Sequence, residues 1–187
     1  MTKTEPASVP VLPDLVRDHC KGPATAKLSL VEYSDYECPP CADAHWVVKE
    51  LVEELGDEVC VVFRNLPLTQ IHPHAQAAAE AAEAADAQGK FWLMHDRLLE
   101  HPDRLERSHL EGYAREISLD MATFERDLRS EAPARRVAED VESARRHGVR
   151  GTPTFFVNGV LYTGSSEFLP LLRALKGPDT EHDRFDK

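Results

Sequence analysis

The apolar positions follow two strand-like rhythms, separated by a long helical middle. Leu28-Ser-Leu-Val-Glu-Tyr-Ser34 is rich in strand formers and stops at polar Asp35, which predicts a short buried strand. From Cys41 through Leu55 the apolar residues Ala42, Trp46, Val47, Leu51 and Leu55 recur at helical spacing, and Gly56 supplies a stop. Val59-Cys-Val-Val-Phe63 reads as a second buried strand. Strand, helix and strand in succession form a βαβ unit, whose parallel strands require a right-handed crossover.

After Pro67 the period is helical. Positions 75–87 hold nine alanines in thirteen places, the residue of highest helix propensity, and Gly89 breaks the run. A second helix is expected over 91–99 and a third from a capping box at Ser108-His-Leu-Glu111. A fourth is capped by Asp120, and a fifth runs from Pro133 to Gly148. Residues 154–157 and 160–163 flank Asn158-Gly159, a hairpin signal because both turn positions take φ > 0. A last amphipathic helix spans 167–175 and ends near Gly177-Pro178. Pro6, Pro10 and Pro13 mark an extended N-terminal arm over 1–17 that carries no chemistry, and 179–187 reads as a loose polar tail. The expected division is an α/β domain from 18–66 and 149–178, interrupted by a helical subdomain over 67–148.

At 187 residues the chain suits one domain, or one domain with a large insertion. Hydrophobic residues at 42% and charged ones at 29% favour a packed core over a disordered tail. A net charge of −11 repels phosphate backbones and anionic lipid, so neither nucleic acid nor a membrane surface is an expected partner. No run of apolar residues is long enough to span a bilayer. The start, Met1-Thr-Lys-Thr-Glu-Pro6, lacks the basic region and apolar stretch of an export signal, so a cytoplasmic location is expected. Four cysteines are too few for a disulfide scaffold.

Two of them form Cys38-Pro-Pro-Cys41, where a strand hands over to a helix. There the Cys38 sulfur meets unpaired backbone N–H groups and the positive end of the helix dipole, which stabilise a thiolate. A free thiol titrates near about 8.5, and such positions bring it down to roughly 3.5–7.5. Cys41, one turn further in, is the natural resolving thiol. The competing reading is a zinc half-site, which would need two more ligands that do not follow at a usual spacing. Pro39 and Pro40 have no N–H to offer the sulfur, so a moderately acidic thiol and a fairly reducing couple are expected.

Glu32 interrupts an apolar strand. It is either a buried acid that moves the proton of Cys41, or a residue turned to solvent by strand alternation. Pro153, in Gly151-Thr-Pro-Thr154, opens a strand, and the residues alone favour an ordinary trans peptide. A cis peptide would instead free the Thr152 backbone to pair with an extended substrate beside Cys38.

The strand, Cys38-Pro-Pro-Cys41, the helical insertion and Gly151-Thr-Pro153, in this order over 18–175, resemble the DsbA-like branch of the thioredoxin superfamily. The resemblance implies an α/β, thioredoxin-like fold with an inserted all-helical subdomain. It further implies Cys38 as nucleophile, Cys41 as resolving cysteine, a cis Pro153, and Glu32 as the buried acid before the motif. Thr152, Pro153, Pro39 and Pro40 are the expected substrate-contacting residues. The implied activity is thiol-disulfide exchange with protein or small-thiol substrates and an unidentified redox partner, by a monomer without cofactor or metal. In a reducing cytoplasm, reductase or isomerase activity is favoured. Pro-Pro between the cysteines and the absence of a signal depart from exported DsbA and count against an oxidant.

Two other functions compete. A glutathione-dependent transferase or isomerase of the same fold would not need Cys41. A non-catalytic binding module would use the helical subdomain and an exposed hairpin over 155–160. Weaker candidates are His72-Pro-His74 with His95 as metal ligands, more simply structural, and His45, one turn after Cys41, which is expected only to pack. Cys20 could pair with Cys60, although a strand cysteine is usually a small hydrophobe. Trp46, Phe91 and Trp92 are expected in the core, and the acids over 50–58 on a solvated face.

Overall fold

A computed structural model describes residues 9–177. The expected tail over 179–187 lies outside the described residues, as does the start of the N-terminal arm. Five strands, β1 (His19–Lys21), β2 (Leu28–Ser34), β3 (Val59–Asn65), β4 (Thr154–Val157) and β5 (Val160–Leu161), form one sheet in the order β1-β3-β2-β4-β5. β2 and β3 run parallel, joined by α1 (Pro39–Leu55), and the other pairs are antiparallel. Between β3 and β4 come α2 (Ala75–Asp86), α3 (Phe91–Glu100), α4 (Arg107–Glu116), α5 (Met121–Leu128) and α6 (Ala132–Arg146), and α7 (Phe168–Lys176) follows β5.

The sheet is covered on both faces. Leu30, Val61, Phe155 and Val157 pack against Ala44, Leu51 and Leu55 of α1 and Leu171 and Leu175 of α7. Leu51 and Leu55 are each buried, worth roughly 1.5–3 kcal/mol apiece. On the opposite face Val31, Tyr33, Val62 and Phe156 meet Ala144 of α6 and Val11 of the arm. A third cluster joins the alanines of α2 to Phe91, Met94, Leu98, Leu110 and Phe124, and reaches Tyr36, Cys38, Cys41 and Phe63.

Several local expectations change. β1 carries no readable pattern in His-Cys-Lys and forms because β3 offers it an open edge. Gly22 follows it at φ +99°, where any Cβ would overlap the Val59 carbonyl oxygen. The arm is tied down: Val11 is buried, and its N–H donates to the Gly159 carbonyl at 3.0 Å. α4 starts before the expected capping box, so Ser108 lies inside the helix and Glu106 takes the cap position. Trp46 is 55% exposed, because α1 turns Cys41, Ala44, His45, Leu51 and Leu55 inward and leaves Trp46 on the rim. Phe91 is in the core, and Trp92 is partly buried against it. The 155–160 hairpin is exposed only in part: Asn158 and Val160 face solvent, but Phe155, Phe156 and Val157 are buried. The Asn158-Gly159 turn does form, with φ of +49° and +85°. Asp120 caps α5 by accepting from Thr123 N at 2.8 Å.

Charged residues also cross the interior. Asp18, with a fully buried side chain, accepts from Arg64 Nη2 at 2.6 Å and Nε at 3.1 Å, and Arg64 Nη1 donates to the Tyr33 hydroxyl at 2.8 Å. Asn65 N–H donates to Asp140 at 2.9 Å and its side-chain amide to Glu83 at 2.7 Å. The end of β3 is thereby fixed to α2, α6 and the segment before β1.

Candidate active site

β2 ends at Ser34, and the turn that follows is held by Asp35. Its carboxylate accepts from Glu37 N at 2.8 Å, Leu68 N at 2.7 Å and His72 Nδ1 at 2.9 Å. This turn delivers Cys38 to the N-cap of α1, with extended φ −86° and ψ 117°. The Cys38 carbonyl accepts from Cys41 N at 3.0 Å and Ala42 N at 3.2 Å. Pro39 and Pro40 occupy the first two helical positions, where a missing N–H costs no intrahelical bond. The prolines that weaken support for the sulfur therefore also start the helix.

Cys38 is 5% exposed and Cys41 0%, so the first sulfur is the accessible one of the pair. The Cys41 thiol beside it, followed by Thr152 and the backbone, draws the Cys38 pKa down to about 6 against the opposing effect of burial. Cys41 moves up, through its hydrogen bond to the Cys38 sulfur, burial and the charge of Glu32. The two sulfurs are thus split into an acid thiol and a reluctant one.

Glu32 is 3% exposed, flanked across the sheet by Phe63 and Phe155. Burial pushes its carboxyl up to about 7, and the charge of Cys38 adds to this. Its Oε1 has no hydrogen-bond partner among the described residues. Strand alternation does not send it to solvent, because β2 is central and covered on both faces. The Ser34 hydroxyl partly offsets the upward shifts of both Glu32 and Cys41.

From the far side a turn closed by Thr154 Oγ1 donating to the Gly151 carbonyl at 2.7 Å brings the Thr152 carbonyl oxygen to 3.6 Å from Cys38 Sγ. The Thr152–Pro153 peptide is cis, not the trans form that the residues alone favour. Thus Cys38, Cys41, Glu32, Pro39, Pro40, Thr152 and Pro153 come from three separate stretches of chain into one place.

Sequence reasoning takes His72 only as a weak metal-ligand candidate and misses its pairing with Asp35 beside Cys38. Burial works against the charge on His72, but Asp35 and the nearby Cys38 raise its pKa overall. Asp35 as the strand's polar end and the His72-Pro-His74 cluster are local signals, but their meeting is not. His72, His74 and His95 do not converge on a metal: His72 pairs with Asp35, His74 with Glu37, and His95 lies in the core beside Phe63. Cys20 and Cys60 are thiols rather than a disulfide. Burial raises both, Cys20 to about 12, which makes them poor nucleophiles.

The family model described as Thioredoxin matches residues 14–176. The chain belongs to the thioredoxin family. A thioredoxin-like oxidoreductase from Silicibacter pomeroyi DSS-3 superposes with a TM-score of 0.77 at 29% identity, covering 86% of this chain and 91% of that one. The thiol-disulfide exchange protein alpha-DsbA2 of Wolbachia pipientis gives a TM-score of 0.75 at 20% identity, covering 84% of each chain. Oxidised BdbD of Bacillus subtilis gives 0.74 at 22%, covering 91% of this chain and 99% of that one. The fold is that of the DsbA-like thiol-disulfide oxidoreductases.

Among curated sequences, the chain is 50% identical over 157 residues to Na(+)/H(+) antiporter NhaA 1 of Salinispora arenicola, covering 84% of this chain but 24% of that protein. The corresponding protein of Mycolicibacterium vanbaalenii is 43% identical over 169 residues, covering 89% of this chain and 27% of that protein. The chain thus spans about a quarter of the curated relatives it matches. No described helix of this thioredoxin-family chain is long and apolar enough to cross a membrane.

Proposed function

We propose that the chain is a thiol-disulfide oxidoreductase in which Cys38 is the nucleophile and Cys41 the resolving cysteine. The observation that carries the reading is the division of the pair, with Cys38 at the helix N-cap and an acidity near pH 6, and Cys41 buried and protonated behind it. The Cys38 thiolate attacks one sulfur of a substrate disulfide, forming a mixed disulfide and expelling the other sulfur as a thiolate. Glu32, in its ionised form, takes the proton from Cys41, whose thiolate attacks Cys38 and releases the second substrate thiol. The substrate gains two electrons, and the Cys38–Cys41 disulfide is reduced again by a dithiol partner. Pro39, Pro40, Thr152 and Pro153 form the contact surface, with the Thr152 backbone pairing to extended substrate.

The direction we propose is reduction or isomerisation. An acidity near pH 6 lies between the roughly 7 of thioredoxin and the roughly 3.5 of strongly oxidising DsbA, so the thiolate is stabilised only in part. A buried second cysteine beside Cys38 favours dithiol exchange over a glutathione-dependent transferase. The test is insulin-disulfide reduction: Cys38→Ser and Cys41→Ser abolish turnover, and Cys41→Ala accumulates mixed disulfides. Wild type without activity and without a preferentially reactive thiol would overturn the proposal.

A further inference from the structure

We infer that His45, His95 and Asp96 form a zinc site across the seam between α1 and α3. One ligating atom from each of these residues lies within 4.8 Å of the other two. His45 Nε2 and Asp96 Oδ1 face each other at 3.9 Å, beyond hydrogen-bond distance, and neither has another partner among the described residues. Buried polar atoms are ordinarily paired, so two that face each other unpaired mark a space for a shared third group. The His45 side chain is only 2% exposed. The Asp96 side chain is 27% exposed, while its Oδ1 is buried.

The donor chemistry selects the class of cation. Two imidazoles and one carboxylate suit zinc and its neighbours among the transition metals, whereas calcium and magnesium require mostly oxygen. Zinc sits about 2.0–2.2 Å from such ligands, which places tetrahedral neighbours roughly 3.4 Å apart. Closing the 3.9 Å edge asks for about half an ångström of side-chain rotation. Burial favours the neutral form of both imidazoles, which keeps their lone pairs available. The Tyr36 hydroxyl lies 3.3 Å from His95 Nδ1, the kind of contact that fixes a ligating ring, and Trp46 and Trp92 pack edge-on against His45 and His95. The cations nearby are Lys49, which is paired with Glu100 at 3.2 Å, Lys21, which lies over the Trp92 ring, and His19, which Glu83 at 2.9 Å and Asp86 at 3.4 Å hold charged and neutralise. With Asp96 and Glu100 opposing them, they leave room for a dication.

His45 stands one turn beyond Cys41 on the same helix, so the metal would clamp the dithiol helix to α3 of the inserted helices. The site does not depend on the thiol reaction, and the two are separable by experiment. Metal-free protein, oxidised so that Cys38 and Cys41 are closed as a disulfide, is titrated with zinc by calorimetry and with cobalt(II) by absorption. One equivalent is expected, with a cobalt spectrum lacking sulfur charge transfer. Asp96→Asn, at a partly exposed position, and His45→Gln should each weaken zinc binding by about 10-fold or more with unchanged circular dichroism. Cys38→Ser/Cys41→Ser should retain it. No binding to the oxidised chain, sulfur charge-transfer bands, loss of binding in the cysteine variant, or an affinity unmoved by Asp96→Asn would each overturn the inference.

Discussion

Asp35 Oδ2 lies 2.9 Å from His72 Nδ1, joining the turn before Cys38 to the loop after β3. The same carboxylate also takes two backbone N–H groups, so it braces the turn while its charge opposes ionisation of Cys38. Asp35→Asn should therefore separate the two effects. Stability should fall by about 1–3 kcal/mol, while the Cys38 pKa moves further down. Urea unfolding and the pH dependence of alkylation measure them independently.

Alkylation of Cys38 by iodoacetamide should reach half its limiting rate near pH 6. The thiol of Cys41 is the largest contributor to that acidity, so Cys41→Ala should move the midpoint upward. A midpoint unchanged by the substitution would show that the helix terminus alone sets it.

Glu32 ties activity to stability. Its carboxyl titrates near pH 4.5 when unperturbed and at about 7 in the fold, so between these values the folded chain holds a proton that the unfolded chain has lost. Stability then decreases as pH rises through this window, by about 3 kcal/mol at most. Glu32→Gln should remove that decline and make the protein more stable at pH 8 than wild type. It should also slow the Cys41 step by about 100-fold or more while leaving the first attack by Cys38 largely intact. Single-turnover kinetics and chemical denaturation at several pH values check both.

Asp18 is the hub of a buried ionic group. Asp18→Asn leaves Arg64 buried without its counter-charge and should cost about 3–5 kcal/mol. Arg64 holds the Asp18 pKa down despite burial, so the stabilisation is complete above the ordinary carboxylate range and lost as pH falls through the lowered value. Replacing both partners together with apolar residues should cost much less than either single change.

The βαβ unit, the alanine helix and the Asn158-Gly159 hairpin were legible because periodicity and turn chemistry are local. The place of Cys38 at a helix start was legible for the same reason. β1 was not, since three residues without alternation become a strand only through an edge that β3 supplies. The side to which Glu32 points was ambiguous because a central strand is buried on both faces and alternation no longer distinguishes inside from outside. Trp46 sits at the margin of the α1 stripe, where helical spacing cannot choose between rim and core. The meeting of His45 with His95 and Asp96 depends on how α1 packs on α3, which neither segment encodes alone.

The two outermost strands of the sheet are three and two residues long. Extended chains of the kind proposed to pair beside Thr152 can also polymerise along free backbone edges. Rims this short give such chains almost no template, so the sheet edges offer little on which a fibril could grow.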